Sequence, residues 1–207
     1  MKIIPIHFGA FCANTYVITA DEKNVVVIDP SHARIQTELE KRGLQARYVL
    51  LTHCHFDHIG GVSALQETGA KVLCSAQEKP LIGTSADLCA FAGVPPSDYA
   101  VDETFFDNQT LTLCGMEIQT LITAGHTKGS ACYLFTDERG EKHLFTGDPL
   151  FEGSVGRTEF PTGNVGELRA SLARLTSLKG DMAIYAGHGE QTTLNVERKT
   201  NPFLIDL

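Results

Sequence analysis

The sequence predicts an α/β fold in which two halves, each made of strands and helices, meet around one metal site. Strand-like runs rich in β-branched residues alternate with helical segments in the first third of the chain, and strands dominate again from about residue 110. Polar loops that carry possible metal ligands follow several of these strands, which is where α/β proteins usually place their sites. At 207 residues, the chain is long enough for one well-packed domain, and we expect a single domain over 1–207.

The first third of the chain has the clearest pattern. Two β-branched runs flank a polar turn and predict a hairpin, Gly43 ends a helical pattern, and an apolar run leads directly to a cluster of histidines. Gly60 and Gly61 then precede a second helix. The predicted elements are a hairpin, a helix, a buried strand, a helix and a strand, at 14–20 with 24–30, 34–42, 46–52, 60–68 and 70–75.

The middle of the chain is less regular than its second half. Residues 77–108 have no clean periodicity and contain three prolines, so this segment is either a helical lid over the site or a surface excursion. Strands are predicted again over 111–123, and 131–148 has the pattern of a hairpin. A helix at about 164–176 and a strand at 182–187 follow, and the chain closes with a polar, helix-like segment.

The most informative stretch is His-Cys-His-Phe-Asp-His at residues 53–58. In an extended backbone, alternate side chains share a face, so His53 and His55 can converge on one ion while Cys54 points away. Asp57 and His58 lie further on and can reach a second ion. A solvated loop that happens to be rich in histidine is the alternative, but imidazole and carboxylate at this density favour metal binding.

Single candidate ligands occur in three further loops. Each follows a strand-like run and is flanked by glycine, which lets the backbone bend tightly and approach an ion closely. They are His126 in ITAGHTKGS, Asp148 in LFTGDPLF and His188 in IYAGHGEQ. Any one of them could be a turn residue or a buried, hydrogen-bonded side chain, but together they repeat one design.

Composition excludes several classes of partner. A net charge of −8 without a basic cluster argues against nucleic acid. No apolar run approaches the roughly 18–20 residues of a transmembrane helix, and the first residues do not make a convincing signal peptide, so no membrane partner is expected. The six cysteines stand singly, and we interpret them as reduced thiols of a cytoplasmic protein.

Taken together, these motifs resemble the metallo-β-lactamase superfamily and, within it, the glyoxalase II-like hydrolases. The resemblance covers nearly the whole chain and includes VVVIDP, the 53–58 motif, GHTKGS, FTGDPLF, SVGRTEFP and the late AGH. It implies a four-layered αβ/βα sandwich with a dinuclear site between two central sheets. It also implies a ligand set: His53, His55 and His126 for the first metal; Asp57, His58 and His188 for the second; and Asp148 bridging both.

Further roles follow from the same resemblance. Asp29 matches a position that supports the site from behind the ligands, although capping the turn after its strand explains it equally well. Ligands that are all nitrogen and oxygen suit two divalent ions, with zinc preferred and iron or manganese acceptable. A water bridging two such ions would lose its proton near neutral pH, giving a metal-bridging hydroxide that Asp57 would orient.

The resemblance is closest to thioester hydrolases. Asp148 stands where metallo-β-lactamases proper usually have Cys or Ser, and His55 stands where the flavodiiron branch has Glu. A thiol leaving group of pKa about 8.5 departs without a general acid, and the sequence offers no obvious proton donor for a leaving amine. The predicted substrate is therefore a small-molecule acyl thioester. The oligomeric state, the acyl group and the thiol stay open.

Recognition of glutathione departs from the family pattern. Glutathione-specific members have a basic residue followed two positions later by Tyr, and here Arg157 is followed by Glu159. They also have Tyr where this chain has Glu190, and a basic C-terminal domain that we do not expect here; GRTEFP resembles short bacterial members that manage without one. Arg157 could anchor a substrate carboxylate or brace its own loop through an ion pair.

Two other functions remain open on the same scaffold. One is a mononuclear iron dioxygenase acting on a persulfide, which would use His53, His126 and Asp148 as a facial set of ligands. The other is a non-catalytic metal-binding protein, which the complete ligand set argues against.

Overall fold

Two six-stranded sheets form the centre of the molecule, for which the computed structural model describes residues 1–9, 12–205 and 207. The first sheet follows chain order and contains β1 Lys2–Ile6, β2 Thr15–Thr19, β3 Asn24–Ile28, β4 Gln45–Leu50, β5 Lys71–Ser75 and β6 Glu103–Phe105. The second contains β7 Thr110–Leu113, β8 Met116–Ile122, β9 Ala131–Thr136 and β10 Lys142–Gly147. A small ribbon of β11 Leu150–Phe151 and β12 Ser154–Val155 follows, and β13 Ala183–Ala186 and β14 Thr192–Thr193 complete the second sheet beside β10.

Helices lie on the outer faces of both sheets or in the loops between strands. They are α1 Ile35–Lys41, α2 Phe56–Ile59, α3 Val62–Glu67, α4 Cys89–Ala92, α5 Val165–Thr176 and α6 Leu194–Thr200. Short 3-10 turns precede α4 at Lys79–Leu81 and Ser85–Asp87. None of the helices among these described residues is long and apolar enough to cross a membrane.

The apolar side chains form three layers, because both faces of each sheet are buried. Along β3, Val25 and Val27 face α1 and α3, whereas Val26 and Ile28 face the second sheet. On β9, Tyr133 faces the first sheet. Its neighbours Cys132 and Leu134 face α5 on the other side. This alternation is the two-residue period of a strand expressed on two buried faces. The result is the four-layered αβ/βα sandwich that the family resemblance implied, and this expectation is confirmed.

Strand direction brings the ligand loops to one edge of the sandwich. β3, β4, β5 and β6 run parallel, as do β10 and β13, so their carboxyl ends share an edge. The loops are tied across the two sheets, since Ala131 donates its N–H to Thr52 O at 2.9 Å. Within the second sheet, Gly187 donates to Gly147 O at 2.8 Å. Loops from both halves therefore meet in one place.

Several elements differ from the sequence prediction. Residues 111–123, where strands were predicted without a turn being placed, form a hairpin of β7 and β8, because Cys114 and Gly115 turn the chain with φ of +49° and +75°. The irregular segment 77–108 contains β6, which the sequence pattern missed, together with α4. The ribbon β11–β12 and the single-turn helix α2 were also missed, since runs of two to four residues are too short to show a period.

Gly125, which precedes the predicted ligand His126, should tolerate no side chain. Its φ is +132°, and a Cβ would lie 2.2 Å from the backbone nitrogen of Leu168 in α5. Gly125→Ala should therefore lower the free energy of unfolding by about 3 kcal/mol or more, through backbone strain and overlap together. Chemical denaturation measures the loss.

Gly115→Ala is the matched control for that experiment. Its φ is +75°, but a Cβ there would meet nothing within 4 Å, so only the backbone strain of about 1–2 kcal/mol is expected. Equal losses in the two variants would show that the close approach of Gly125 to α5 does not matter.

Candidate metal centre

All the predicted ligand side chains meet at the shared edge of the two sheets. The loop after β4 brings His53 and His55, and the short helix α2 that follows it brings Asp57 and His58. The loops after β8, β10 and β13 bring His126, Asp148 and His188. Their ligand atoms fall into overlapping groups whose members all lie within 4.8 Å of one another.

The first group is a triangle of imidazole nitrogens. His55 Nδ1 lies 3.0 Å from His53 Nε2 and 3.0 Å from His126 Nε2. The three rings are almost completely buried. Nitrogens at these separations can all contact one ion at the usual Zn–N distance of about 2.0–2.1 Å. The alternation argument for His53 and His55 therefore agrees with the observed geometry.

The second group contains Asp57, His58 and His188. His188 Nε2 lies 3.1 Å from Asp57 Oδ2, and His58 Nε2 lies 4.0 Å from the same oxygen. This group is more open than the first, because Asp57 is partly exposed and the His188 side chain is 38% exposed. The open side faces a large pocket.

Asp148 lies between the two groups and contacts both. Its Oδ1 is 3.3 Å from His58 Nε2, and its Oδ2 is 3.5 Å from His126 Nε2 and 3.7 Å from His188 Nε2. A carboxylate that reaches a histidine of each group in this way is placed to be shared by two ions.

Buried atoms without a hydrogen-bond partner test whether cations fit here. His58 Nε2 and Asp148 Oδ1 are both buried in this cluster, and neither has a hydrogen bond within the described structure. Each such atom costs about 1–3 kcal/mol when left unsatisfied. A divalent cation would take up both lone pairs, and the nitrogen and oxygen donors suit zinc, iron or manganese. The residues present therefore fit the expected metals.

The outer nitrogens of three histidines are held by acceptors. His126 Nδ1 donates to Arg157 O at 2.8 Å, and His58 Nδ1 donates to Asp29 Oδ2 at 2.9 Å. His53 Nδ1 lies 3.0 Å from the Thr52 hydroxyl. Such contacts fix the tautomer that turns the Nε2 lone pair towards the cluster, as in known metal sites.

Asp29 is the residue behind both groups. Its Oδ1 accepts the Thr52 N–H at 2.8 Å, and its Oδ2 accepts the Thr52 hydroxyl at 2.6 Å as well as His58. The side chain thus contacts the second group directly and the first through Thr52 and His53. These contacts support the buttressing role over simple capping of a turn.

Burial favours neutral imidazoles at His53 and His55. Burial, together with the neighbouring histidines, holds the pKa of His53 well below its ordinary value. Burial also lowers the pKa of His55 to about 3. At Asp148, burial opposes ionisation, but contact with His58 outweighs it and holds the pKa below its ordinary value. Neutral imidazole and ionised carboxylate are the forms that bind metal.

Burial acts to lower the pKa of His58, but the nearby carboxylates raise it by more than burial lowers it. Asp148, Asp29 and Asp57 together raise the pKa of His58 well above its ordinary value. An excess of negative charge therefore surrounds this ring, as expected of a site for cations.

Glu78 is a residue that sequence reasoning missed. It is fully buried, and its carboxylate accepts the Cys54 N–H at 2.8 Å, the Thr127 hydroxyl at 2.7 Å and the Gly129 N–H at 3.1 Å. It therefore ties the loop of His53 to the loop of His126. No sequence signal marked it, because a single acidic residue in the irregular segment 77–108 looks like any surface glutamate.

Cys54 lies beside Glu78 and away from the ligand groups. Its side chain is fully buried, and burial together with Glu78 raises the pKa of its thiol. Among the described residues, the candidate metal groups contain no cysteine. The expectation that Cys54 points away therefore agrees with its surroundings.

A pocket of about 870 Å³ opens above the cluster. Its described lining outside the predicted ligands is apolar except for Arg157 and Glu159. The Arg157 guanidinium lies 4.6 Å from the ring centre of Phe160. No ion pair between Arg157 and Glu159 or Asp148 occurs within the described residues, so the bracing of the loop by such a pair finds no support.

Comparisons with known proteins agree with this geometry. Residues 9–188 match the sequence profile of the metallo-beta-lactamase superfamily. Hydroxyacylglutathione hydrolase GloC of Haemophilus influenzae is 35% identical over 99% of this chain and 97% of its own length. The BLEG-1 B3 metallo-beta-lactamase is 31% identical, with a TM-score of 0.89 over 98% of this chain and 99% of its own. TTHA1623, crystallised in a di-iron-bound form, is 36% identical, with a TM-score of 0.83 over 97% of this chain and 100% of its own.

Asp148→Ala should release metal from both groups, because it removes the side chain that contacts both. Elemental analysis of dialysed protein should find less than one metal per chain, against about two in the unaltered protein. Cys54→Ser is the control and should keep its metal content. Retention of both metals by Asp148→Ala, or loss of one by Cys54→Ser, would contradict the assignment.

Glu78→Gln should weaken the link between the two ligand loops. The side-chain NH2 group of the glutamine would face one of the N–H or O–H groups that the Glu78 carboxylate accepts, and two donors cannot bond to each other. The free energy of unfolding should therefore fall by about 2 kcal/mol, and the metal content should fall as well. Denaturation and elemental analysis measure the two effects. Glu103→Gln, at an exposed glutamate paired with Lys71, is the control. If Glu78→Gln and Glu103→Gln had the same stability and the same metal content, the proposed link between the two loops through Glu78 would be wrong.

Proposed function

The chain belongs to the metallo-β-lactamase superfamily, and on that premise we propose that it is a metal-dependent hydrolase of small acyl thioesters. The observation that carries the proposal is the pair of His/Asp groups, both in contact with Asp148, at the floor of a largely apolar pocket. The relative named hydroxyacylglutathione hydrolase, similar over nearly the full length of both chains, supports this class of substrate.

The ligands divide between two ions. His53, His55 and His126 would hold the first, Asp57, His58 and His188 the second, and Asp148 would bridge them. Bound divalent metal lowers the pKa of water towards neutrality and polarises a carbonyl oxygen, which is the chemistry that hydrolysis needs. We propose zinc as the native metal, with iron as the alternative that the di-iron form of a relative supports.

Two features of this chain's own residues favour thioesters. Asp57 faces the pocket with a partly exposed carboxylate, so it can accept a hydrogen bond from the attacking water and orient it. The charged pocket residues outside the ligand set, Arg157 and Glu159, do not include an obvious acid for a leaving amine. A thiolate, with a conjugate pKa of about 8.5, leaves without one.

Organisation and location complete the proposal. We propose that residues 1–207 act as one domain, on a small-molecule substrate and not on nucleic acid. We also propose a cytoplasmic location. The positive support is chemical, since Cys54, Cys74, Cys89 and Cys132 are buried free thiols whose pKa values burial raises.

A metal-loaded thioester screen tests the function. The protein should release thiol from S-lactoylglutathione or a simpler thioester, and chelation should abolish the release and zinc should restore it. Metal content is measured in the same sample. No release from any thioester would refute the proposal. One iron per chain with oxygen uptake on a persulfide would favour the dioxygenase, and stoichiometric metal without any turnover would favour a binding protein.

Arg157→Ala tests whether this residue anchors an anionic substrate. The guanidinium stacks on Phe160 at the pocket, and the backbone carbonyl that holds His126 survives the substitution. KM for carboxylate-bearing thioesters should rise, lowering kcat/KM by about ten- to hundredfold, while neutral thioesters change little. Steady-state kinetics on matched charged and neutral thioesters measure this. Equal losses on both, with a lower Tm, would show that Arg157 braces its loop.

A further inference from the structure

The pocket has an apolar wall that the proposed chemistry does not use. Leu88, Phe91, Val94 and Phe160 form it, and we call these residues the apolar wall. Phe91 is 77% exposed and Val94 is 38% exposed, although both are large apolar residues. Exposed apolar side chains that line one concave site, with ligand groups at its floor, are typical of a surface that is covered when a ligand binds.

The apolar wall extends directly from the candidate metal centre. The ring of Phe160 lies 5.9 Å from that of His55 and 5.8 Å from that of Phe91, with edge-to-face angles of 82° and 63°. These rings form a continuous row from a predicted ligand to the solvent. A group attached to the reacting carbonyl would therefore run along them.

The segment that presents Phe91 is held in place. Leu88 has a φ of +60°, and the Asp87 carboxylate accepts the N–H of Cys89 at 2.9 Å and of Gly83 at 3.2 Å. Cys89, next to Leu88, is buried in the core of the first sheet. A bulky residue keeps a left-handed conformation only where its surroundings impose it. The exposure of Phe91 is thus a feature of a fixed segment.

We propose that the apolar wall binds an apolar chain or ring of the substrate, so that the enzyme prefers thioesters carrying an apolar group of about four or more carbons. The inference rests on the proposed thioester function. The apolar group can belong to the acyl part or to the thiol part, because both are attached to the reacting centre. A short hydroxyacyl group would instead leave most of the apolar wall in water.

The energetic consequence is a dependence on chain length. Each methylene moved from water onto apolar surface contributes about 0.8 kcal/mol, which corresponds to a factor of about three to four in kcat/KM. The dependence should stop when the pocket is filled. A hydroxyl group placed against the wall would lose its hydrogen bonds to water, so a hydroxylated chain should be used less well than an alkyl chain of the same length.

Two series of thioesters identify the source of the apolar group. One varies the acyl group from acetyl to octanoyl on N-acetylcysteamine, and the other varies the alkyl length of the thiol in acetyl thioesters. In the unaltered protein, kcat/KM should rise by about three- to fourfold per methylene in one of the two series. That series shows whether the acyl part or the thiol part of the substrate lies on the apolar wall. In Phe91→Ala, the ratio of kcat/KM for the longest member of that series to kcat/KM for the shortest member should fall by about tenfold.

A control and a binding measurement keep the two proposals separate. Phe106→Ala removes a ring that is 63% exposed and lies outside the described pocket lining, so the ratio should be unchanged. Non-hydrolysable S-alkyl and S-acylmethyl thioethers of N-acetylcysteamine, measured by calorimetry, report on the wall even if no thioester is turned over. The inference is supported if affinity increases with chain length in the unaltered protein and this increase is lost in Phe91→Ala. No dependence on length in either measurement, or the same dependence in Phe91→Ala, overturns it.

Discussion

The candidate metal centre depends on the carboxylate of Asp29. One oxygen accepts the backbone N–H of Thr52, and the other accepts the Thr52 hydroxyl and the outer nitrogen of His58. The Thr52 hydroxyl in turn lies against the outer nitrogen of His53. A single buried anion therefore sets the orientation of a histidine in each group. Because both groups are held by the Asp29 carboxylate, a movement of the side chains in one group changes the hydrogen bonds that orient the other.

Glu78 has a corresponding role on the other side of the first group. Asp29 acts on side chains, whereas Glu78 acts mainly on the backbone, since it accepts N–H groups from the loops of His55 and His126. Close approach makes this possible, because a Cβ on Gly129 would lie 2.2 Å from the Glu78 nitrogen. Three donors converge on a carboxylate that is fully buried, and they offset part of the cost of burying its charge, although burial still raises the pKa of Glu78. The loops of the two sheets are thus joined by a buried charge.

The site combines a polar floor with apolar walls. Water would compete with every electrostatic contact at the floor, and the surrounding apolar side chains reduce its access and lower the local dielectric constant. On the proposed function, the same side chains would also select the substrate, because they form an apolar surface beside the candidate metal centre. Arg157 adds one positive charge to this surface, and its stacking on Phe160 keeps the charge at the pocket. The proposed chemistry and the proposed selectivity therefore rest on different residues of the same pocket.

What the sequence by itself determined was the fold class, the family and the set of side chains that meet at the shared edge. Strand periodicity, glycine-flanked loops and the 53–58 motif are local features, and local features can be read along a chain. The fold and the family are confirmed, whereas the roles of the residues as ligands stay predictions, as does the single domain. Only the tertiary structure decided the contacts made by Glu78, Thr52 and the apolar wall. Each joins residues far apart in sequence, such as Phe91 and Phe160, and none of these contacts belongs to a motif that can be read along the chain.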